Sequence, residues 1–383
     1  MELKTRSERL AGRRIALCVT GSVAAVESVR IARELRRHGA EVIPYMTKGA
    51  MGIIHPNALE FAAGRGPVAG LTGAVEHLAD HDLILIAPAT ANTIAKIVHG
   101  IADNPVTALA ASSGSGLVIA PAMHREMYEN PVVAGNMRLL RERSIFVEPL
   151  LEEGAAKMAP LEDIVDAVFY ALTPKDLKGR RVVVTAGPTM EHIDPVRVIT
   201  NRSSGKMGVA LAREAVFRGA DVTLIYGPGT AKPPSRAEVV RVETSDEMLR
   251  AVESRRDYDI FIGAAAVADF TVEPRKEKLG SREGGITLEL MPTKKTLSVV
   301  REGAVRVAFK AGYGLSEKGL IEAASMLMEE TGFDLVVAND LSKGVLGSDE
   351  AEAVIVKKEG VIRLERMDKQ ALAKRIFDEL MRI

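Results

Sequence analysis

The sequence predicts two α/β domains, each built on an open sheet of mainly parallel strands. Short apolar runs without polar alternation, such as residues 182–184 (VVV), alternate with segments of helical periodicity, which is typical of buried parallel strands joined by helices. Several runs end in small or polar residues, where ligands bind in such sheets. The charged stretch PKDLKGRR follows the helical pattern IVDAVFYAL without a Gly-rich or Pro-rich tether. We therefore expect domains at residues 1–174 and 175–383.

Composition excludes several classes of protein. Hydrophobic residues make up 47% and charged residues 27%, and Lys+Arg and Asp+Glu both number 51, so no overall charge attracts nucleic acid or an anionic membrane. Cys18 is the single cysteine, which excludes an internal disulfide and fits a reducing cytosol. No apolar run approaches roughly 18 residues, and the N-terminus lacks a signal-peptide core. We expect a cytoplasmic protein that acts on small molecules, without nucleic acid or membrane partners.

The N-terminal half begins with a βαβ unit. The apolar run RIALCVT predicts a strand that ends at Gly21-Ser22, and a helix with Val26, Val29 and Ile31 on one side leads to the strand EVIPYMT. The turn is not G-x-G-x-x-G, so the dinucleotide fingerprint is absent. A Gly-Ser turn at a helix start can still bind one phosphate.

A second polar turn follows the apolar strand LILIA. Residues 88–93 (PATANT) precede the predicted helix IAKIVHGIADNPV. Hydroxyl and amide groups at the carboxyl end of a strand suit a ribityl chain or the edge of a flavin ring.

The C-terminal half opens with the strand VVVTA and continues to the polar segment NRSSGKMG ahead of the helix GVALAREAVFRGA. Backbone N–H groups, the helix dipole and two basic side chains favour an anion there, and a helix start capped by serine is the alternative. The strand DIFIGAAAVADF ends in small residues. These allow a flat base or ribose to approach the backbone, and tight packing of a helix on the sheet explains them equally well.

Motifs in both halves resemble known families. Residues 182–208 closely resemble the signature of phosphopantothenate–cysteine ligases, and PATANT with IAKIVHGIADN resembles the flavin-binding motif of flavoproteins that include peptidyl-cysteine decarboxylases. The chain is thus similar to the bifunctional enzymes of coenzyme A biosynthesis, which fuse a phosphopantothenoylcysteine decarboxylase to the ligase. The resemblance implies a flavodoxin-like flavoprotein domain, a Rossmann-like ligase domain, FMN, Mg²⁺, CTP as co-substrate, and a homo-oligomer.

The resemblance also implies an FMN site and decarboxylase residues in the N-terminal domain. His77 occupies the place of the active-site histidine, although single histidines more often cap or lie on the surface. His124 stands where most decarboxylases have an asparagine that holds the substrate carboxylate, and an imidazole can also donate to a carboxylate. The segment PLLEEGAAKMAPLEDI matches the substrate clamp but lacks its cysteine, which is thought to protonate the enethiolate. The positions that match FMN contacts are Gly21, Ser22, Thr47, Pro88, Ala89, Thr90, Ala91, Asn92, Thr93, Ser112 and Ser113.

In the ligase half the resemblance implies separate roles for nucleotide and substrate residues. Lys278, which its spacing to the ITLELMPT strand favours over Lys276, matches a lysine that contacts the nucleotide phosphates, and Asn201 matches the residue that holds the acyl-cytidylate for attack by cysteine. A triphosphate needs its charge bridged by Mg²⁺, and Asp269 is the candidate carboxylate ligand. The nucleotide positions are Gly187, Gly263, Ala264, Ala265, Asp269, Lys278 and Phe309. The substrate positions are Arg197, Asn201, Ser203, Ser204, Gly205 and Lys206.

Three functions remain in competition at this point. The leading one is CTP-dependent ligation of cysteine to 4′-phosphopantothenate, followed by FMN-dependent decarboxylation to 4′-phosphopantetheine. The second is a ligase whose flavin domain no longer decarboxylates. The third makes the N-terminal half a flavin-binding module for regulation or assembly. The missing fingerprint disfavours an NAD-dependent dehydrogenase.

Overall fold

The computed structural model describes residues 3–73, 80–112, 116–280, 285–343 and 347–383. The chain divides into two compact units, Met1–Thr173 and Pro174–Ile383.

The N-terminal unit contains a parallel sheet with helices packed on it. Its strands are β1 (Arg14–Val19), β2 (Glu41–Met46), β3 (Leu83–Ala89), β4 (Leu117–Pro121), β5 (Met123–His124), β6 (Ile145–Phe146), β7 (Leu150–Glu152) and β8 (Ala155–Lys157). Its helices are α1 (Ser28–Arg37), α2 (Lys48–Met51), α3 (Pro56–Ala63), α4 (Ala91–Val98), α5 (Pro105–Ser112), α6 (Arg125–Tyr128), α7 (Pro131–Arg141) and α8 (Leu161–Leu172), and a 3₁₀ turn spans Val23–Glu27.

The strand order of the main sheet is β2-β1-β3-β4-β6, and its neighbouring strands run parallel. This is the flavodoxin-like order, so the predicted fold class is confirmed. Strand β3 is buried at every position because helices cover both faces of such a sheet. Cys18 is fully buried in β1, and burial raises the pKa of its thiol far above the ordinary value.

Two local predictions in this unit need correction. Helix α4 begins at Ala91, inside the PATANT segment, because Thr90 caps it, and it ends at Val98, ahead of the positive φ of Gly100. The predicted apolar helix face after Gly21-Ser22 is also incomplete. A 3₁₀ turn precedes α1 and leaves Val26 exposed, whereas Ile31 is buried.

The C-terminal unit contains a larger mixed sheet. Its strands are β9 (Arg181–Ala186), β10 (Met190–His192), β11 (Val198–Thr200), β12 (Asp221–Tyr226), β13 (Glu238–Arg241), β14 (Ile260–Gly263), β15 (Phe270–Thr271), β16 (Met291–Pro292), β17 (Val305–Gly312), β18 (Leu335–Asp340), β19 (Glu350–Lys357) and β20 (Gly360–Asp368). Its helices are α9 (Lys206–Phe217), α10 (Ser245–Glu253), α11 (Glu317–Thr331) and α12 (Lys369–Leu380), with 3₁₀ turns at Thr296–Val299 and Leu341–Lys343.

The order of this sheet is β13-β12-β9-β14-β17-β18-β19-β20. Strands from β13 to β18 are parallel, and β19 and β20 extend the sheet in antiparallel fashion. The residues between β9 and the polar segment NRSSGKMG form an antiparallel hairpin of β10 and β11. Across the described ranges, no helix is long and apolar enough to cross a membrane.

Candidate active sites

The predicted FMN-contacting turns lie at one edge of the N-terminal sheet. Strands β2, β1 and β3 are neighbours and parallel, so the turns that follow them at Thr47, Gly21-Ser22 and Thr90 are brought to the same edge. Each of these polar side chains caps a helix or turn: Ser22 accepts from the Ala24 N–H, and Thr47 accepts from the Ala50 N–H. The sheet therefore assembles three helical N-termini at the predicted phosphate and flavin site.

Thr20 links the Gly-Ser turn to the PATANT turn. Its side chain is 1% exposed, and its hydroxyl donates to the Pro88 carbonyl at 2.7 Å and accepts from the Thr90 N–H at 3.1 Å. The Gly-Ser turn is also closely packed, because a Cβ at Gly21 would lie 3.1 Å from the backbone of Gly49. These contacts fix the Gly-Ser turn relative to the PATANT turn.

Within the PATANT turn, most side chains are buried. Thr93 is 4% exposed, and its N–H donates to the Thr90 hydroxyl at 3.3 Å, which starts α4. Asn92 is the exposed amide of the turn. Pro88, Ala89 and Ala91 are buried. The turn therefore offers a ligand its backbone, the partly exposed Thr90 and the Asn92 amide.

The segment that matches the substrate clamp is a β-hairpin joined to His124. Strands β7 and β8 are antiparallel, the turn residues Glu153 and Gly154 have positive φ, and β8 pairs with β5 so that His124 lies opposite Ala155. Lys157 donates to Glu153 at 2.5 Å, and this hydrogen bond raises the lysine pKa. His124, which is exposed, is thus held against the clamp strand that lacks the usual cysteine.

The remaining predictions for this unit are only partly described. Ser112 is the exposed last residue of α5, and its hydroxyl donates to the Leu109 carbonyl at 2.9 Å. His77 and Ser113 lie outside the described residues.

In the C-terminal unit, the loops after the adjacent strands β9 and β14 are joined by hydrogen bonds. The Ala266 N–H donates to the Gly187 carbonyl at 2.8 Å, and the Ala268 N–H donates to the buried hydroxyl of Thr189 at 2.9 Å. The exposed Asn201 side chain donates to the carbonyls of Ala266 and Val267 at 3.1 and 3.2 Å. The predicted substrate amide therefore lies directly beside the predicted nucleotide strand.

Other predicted nucleotide residues share this edge of the sheet. Gly263 pairs with Thr185 of β9 and with Ala308 of β17, so the partly buried Phe309 follows at the next position. Ala264 and Ala265 are partly exposed beside it. The backbone of Phe309 is therefore close in the sheet to these small residues, and an aromatic ring together with small residues suits a flat base.

The start of α9 combines a helix cap with close packing. The Ser203 and Ser204 hydroxyls accept from the N–H groups of Gly205 and Lys206 at 3.3 and 3.5 Å. The N-cap itself is Gly205, without a side-chain cap hydrogen bond, so the alternative of a serine N-cap is wrong. Gly205 has φ of 77°, and a Cβ there would lie 2.6 Å from the Tyr226 ring. The Tyr226 hydroxyl donates to the Ala231 carbonyl at 2.8 Å, and burial raises its pKa.

Lys206 contacts the loop before β19. Its ammonium donates to Asp349 at 2.6 Å and to the Gly347 carbonyl at 2.8 Å, and this hydrogen bond lowers the pKa of Asp349. Lys369 donates to the Ser348 carbonyl at 2.6 Å, and burial followed by repulsion from Lys206 lowers its pKa. The predicted substrate lysine thus links two motif segments that are far apart in sequence.

Asp269, the predicted magnesium ligand, is exposed and forms an ion pair with Lys295. Among the described residues, no group of three or more His, Cys, Asp or Glu side chains could hold a metal ion. In the part of the protein that is described, the Asp269 carboxylate is therefore paired with a lysine and is not part of a preformed metal site.

Arg197 and Lys278 lie next to a buried carboxylate that the sequence patterns did not single out. Arg197 pairs with Asp194 and donates to the Leu279 carbonyl at 3.1 Å, and Lys278 precedes this anchored residue and is exposed. Thr20 and Tyr226 were also missed. A polar residue at the end of an apolar strand was the available signal for both, and an aspartate before a proline was the signal for Asp194.

Comparisons with known proteins agree with this architecture. Residues 3–173 match the family model described as Flavoprotein, and residues 177–383 match that described as DNA/pantothenate metabolism flavoprotein C-terminal domain. The Coenzyme A biosynthesis bifunctional protein CoaBC of Thermococcus kodakarensis is 48% identical over 393 residues, covering 98% of this chain and 96% of that protein. The protein of the same name from Methanocaldococcus jannaschii is 39% identical, covering 99% of this chain and 96% of that protein. The one from Escherichia coli K12 is 33% identical, covering 97% of this chain and 97% of that protein.

The two matched domains define a flavoprotein of pantothenate metabolism with a second, C-terminal domain. The chain belongs to the family of bifunctional proteins of coenzyme A biosynthesis. It is an enzyme with decarboxylase and ligase activities, which confirms the leading prediction, and the relatives give no support to the alternatives.

Proposed function

We propose that the C-terminal unit joins cysteine to 4′-phosphopantothenate with CTP and Mg²⁺, and that the N-terminal unit then decarboxylates the product with FMN. The observation that carries the ligase half is the contact of the Asn201 amide with the Ala266 and Val267 carbonyls. This contact supports the proposal, because the Asn201 amide lies against the loop that follows β14. The phosphopantothenate carboxylate and the α-phosphate can therefore meet at this edge.

In the ligase reaction, the substrate carboxylate attacks the α-phosphorus of CTP, pyrophosphate leaves, and an acyl-cytidylate forms. Lys278 stabilises the charge that develops on the phosphate oxygens, because a mobile ammonium is a strong donor to an anion. Asn201 orients the acyl-cytidylate while the cysteine amine attacks its carbonyl and CMP leaves. Mg²⁺ bound to the triphosphate would neutralise part of its charge, and Asp269 is the candidate carboxylate that would hold it.

The N-terminal turns fit FMN by their chemistry. Helix N-termini, threonine and serine hydroxyls and the exposed Asn92 lie at one sheet edge, and a Cβ at Gly21 would contact the Gly49 backbone tightly, at 3.1 Å. Bound FMN supplies the reversible oxidation of the substrate thiol that allows the neighbouring carboxylate to leave as CO₂. His124 and His77 orient and bind the substrate carboxyl end, and the hairpin of β7 and β8 covers it.

Proton return to the enethiolate is assigned to water or His124 rather than to Lys157. The Glu153 carboxylate holds the Lys157 ammonium and raises its pKa, which makes it a poorer acid. General acid catalysis contributes about 10²–10⁴-fold. Loss of the clamp cysteine therefore slows a late step but leaves decarboxylation intact.

The ligase proposal is tested by incubating the full chain with phosphopantothenate, cysteine and CTP and detecting each product by mass. Lys278→Gln should abolish CMP formation, whereas Asn201→Asp should let the acyl-cytidylate accumulate. Lys276→Gln is the matched control, because Lys276 is an exposed lysine of the same loop. Loss of activity in both lysine variants, or the same intermediate in the Lys278 and Asn201 variants, would overturn the assigned roles.

The flavin proposal is tested by titration with FMN and by CO₂ release. Asn92→Asp should weaken FMN binding by placing a charge beside the ring, and Asn57→Asp is the control because Asn57 is also the exposed second residue of a helix. His77→Asn should stop CO₂ release. Flavin-loaded protein that releases no CO₂ from phosphopantothenoylcysteine would refute the decarboxylase half.

A further inference from the structure

The loop that carries Lys278 is held by a buried carboxylate at the tip of the β10–β11 hairpin. Asp194 is 1% exposed. One of its oxygens accepts the N–H groups of Val196 and Arg197 at 2.8 and 2.7 Å, and the other accepts the Leu279 N–H at 3.1 Å. The Arg197 guanidinium pairs with the same carboxylate and donates to the Leu279 carbonyl at 3.1 Å. Both backbone polar groups of Leu279 are therefore bound by side chains of the hairpin.

We call the arrangement of Asp194, Arg197 and Leu279 the Asp194 clasp. The loop is also attached at its other end, because the Arg275 N–H donates to the Ile193 carbonyl at 2.9 Å. The Leu279 side chain is 5% exposed. Residues 276–278, between the two attachments, are exposed. The hairpin tip thus fixes the backbone of a short solvent-facing loop at both ends.

The same hairpin leads directly to Asn201. Strand β11 ends at Thr200, whose hydroxyl donates to the Thr189 carbonyl at 2.8 Å, and Asn201 follows with its contacts to Ala266 and Val267. The same hairpin therefore leads into Asn201 and is hydrogen-bonded to both ends of the Lys278 loop.

We propose that Asp194 is a positioning residue of the ligase reaction, which fixes Lys278 relative to Asn201 through the Asp194 clasp. This inference rests on the proposed function, in which Lys278 acts on the nucleotide phosphates. An exposed lysine on a free loop loses much conformational entropy when it must meet a phosphate. Fixing the loop in advance lowers that cost and keeps the ammonium near the reacting phosphate.

The charge of Asp194 is required as well as its shape. The carboxylate accepts three backbone N–H groups and an arginine, and an amide of the same size has one acceptor oxygen for these donors. Asp194→Asn should therefore loosen the loop without removing any atom that touches substrate. Asp259→Asn is the matched control in the same unit. The Asp259 carboxylate accepts the Arg181 N–H at 2.8 Å at the start of β9. This contact lies at the amino end of β9, whereas the candidate site lies at its carboxyl end.

The loop itself is measured by limited trypsin digestion of the full chain, with fragments identified by mass. A segment that loses charged hydrogen bonds opens about tenfold more often. Trypsin should therefore cleave the Asp194→Asn variant after Lys276 and Lys278 about tenfold faster than it cleaves wild type. Asp259→Asn should be cleaved there at the wild-type rate. Should Asp194→Asn fail to fold, Arg197→Gln tests the same clasp by this digestion, since it removes the contact with the Leu279 carbonyl. Unchanged cleavage in the folded variant would overturn the proposal.

The reaction is measured by CMP release and by accumulation of the acyl-cytidylate. Asp194→Asn should lower kcat about tenfold to a hundredfold, as expected for a displaced catalytic group, and leave the KM for cysteine unchanged. When Asp194→Asn is combined with Asn201→Asp, the acyl-cytidylate should form about tenfold to a hundredfold more slowly than in Asn201→Asp alone. Equal slowing of the cysteine step would indicate a general structural defect and contradict the proposal.

Failure of the proposed function gives a different result. If wild type releases no CMP, or if Lys278→Gln is fully active, the role of Lys278 is wrong, and Asp194 loses its part in the reaction with it. If those two results are as expected and only the Asp194→Asn variant behaves like wild type, the clasp alone is wrong.

Discussion

Replacing Gly208 with alanine tests how closely helix α9 packs on the end of β9. A Cβ at Gly208 would lie 2.3 Å from the Cβ of Ala186 and 3.1 Å from the Thr185 carbonyl oxygen, whereas ordinary contact begins at 3.4 Å. The helix start must therefore move by about 1.1 Å. Overpacking of this kind costs about 1–3 kcal/mol, and the higher helix propensity of alanine offsets about 1 kcal/mol. We expect the free energy of unfolding to fall by up to about 2 kcal/mol.

The displacement also reaches the candidate ligase site, because the Ser203 and Ser204 hydroxyls accept from the N–H groups of Gly205 and Lys206 at the start of the same helix. A shift of about 1 Å in a positioning element can lower a rate about a hundredfold, so CMP release should fall at least tenfold. Thermal unfolding followed by circular dichroism measures stability, with about 2–4 °C expected per kcal/mol. Gly319→Ala is the control, because a Cβ there meets only ordinary contacts at 3.5 Å and beyond. Full stability and activity of Gly208→Ala would refute the packing argument.

Three further predictions follow from buried polar groups. Thr20→Val should destabilise the N-terminal unit by about 1–3 kcal/mol and weaken FMN binding, because the Pro88 carbonyl and the Thr90 N–H lose their partner. Thr20→Ser should retain wild-type stability in unfolding experiments and wild-type FMN affinity in titrations. Cys18 should react with a thiol reagent only after denaturant is added, since its thiol is buried and its pKa is raised, and rapid labelling of native protein would contradict this. Burial alone raises the pKa of Asp194, but the N–H groups and guanidinium that it accepts outweigh burial and hold the pKa well below its ordinary value. The carboxylate therefore stabilises the fold above its unfolded-state pKa of about 4 and loses this effect as the pH falls below it, so Asp194→Asn should flatten the acid limb of a stability–pH profile measured by denaturant unfolding.

The sequence by itself determined the two α/β domains, the buried strands and the polar turns that follow them. These are local properties, because an apolar run such as that of β3 and the polar residues directly after it are read from neighbouring positions. The resemblance of residues 182–208 and 88–93 to known motifs then gave the family, which the relatives confirm. The boundaries of α4 were less well predicted, because the Thr90 cap competes with the apolar pattern.

The tertiary structure decided which of these polar side chains meet. Lys206 lies against Asp349, 143 positions away in sequence, and Asp194 holds Leu279 across 85 positions. Such pairings depend on the order of strands in the sheet and on the β10–β11 hairpin, which no local sequence pattern predicted. An aspartate next to a proline predicts a turn wherever it occurs, and only the folded chain brings the Lys278 loop within reach of its carboxylate.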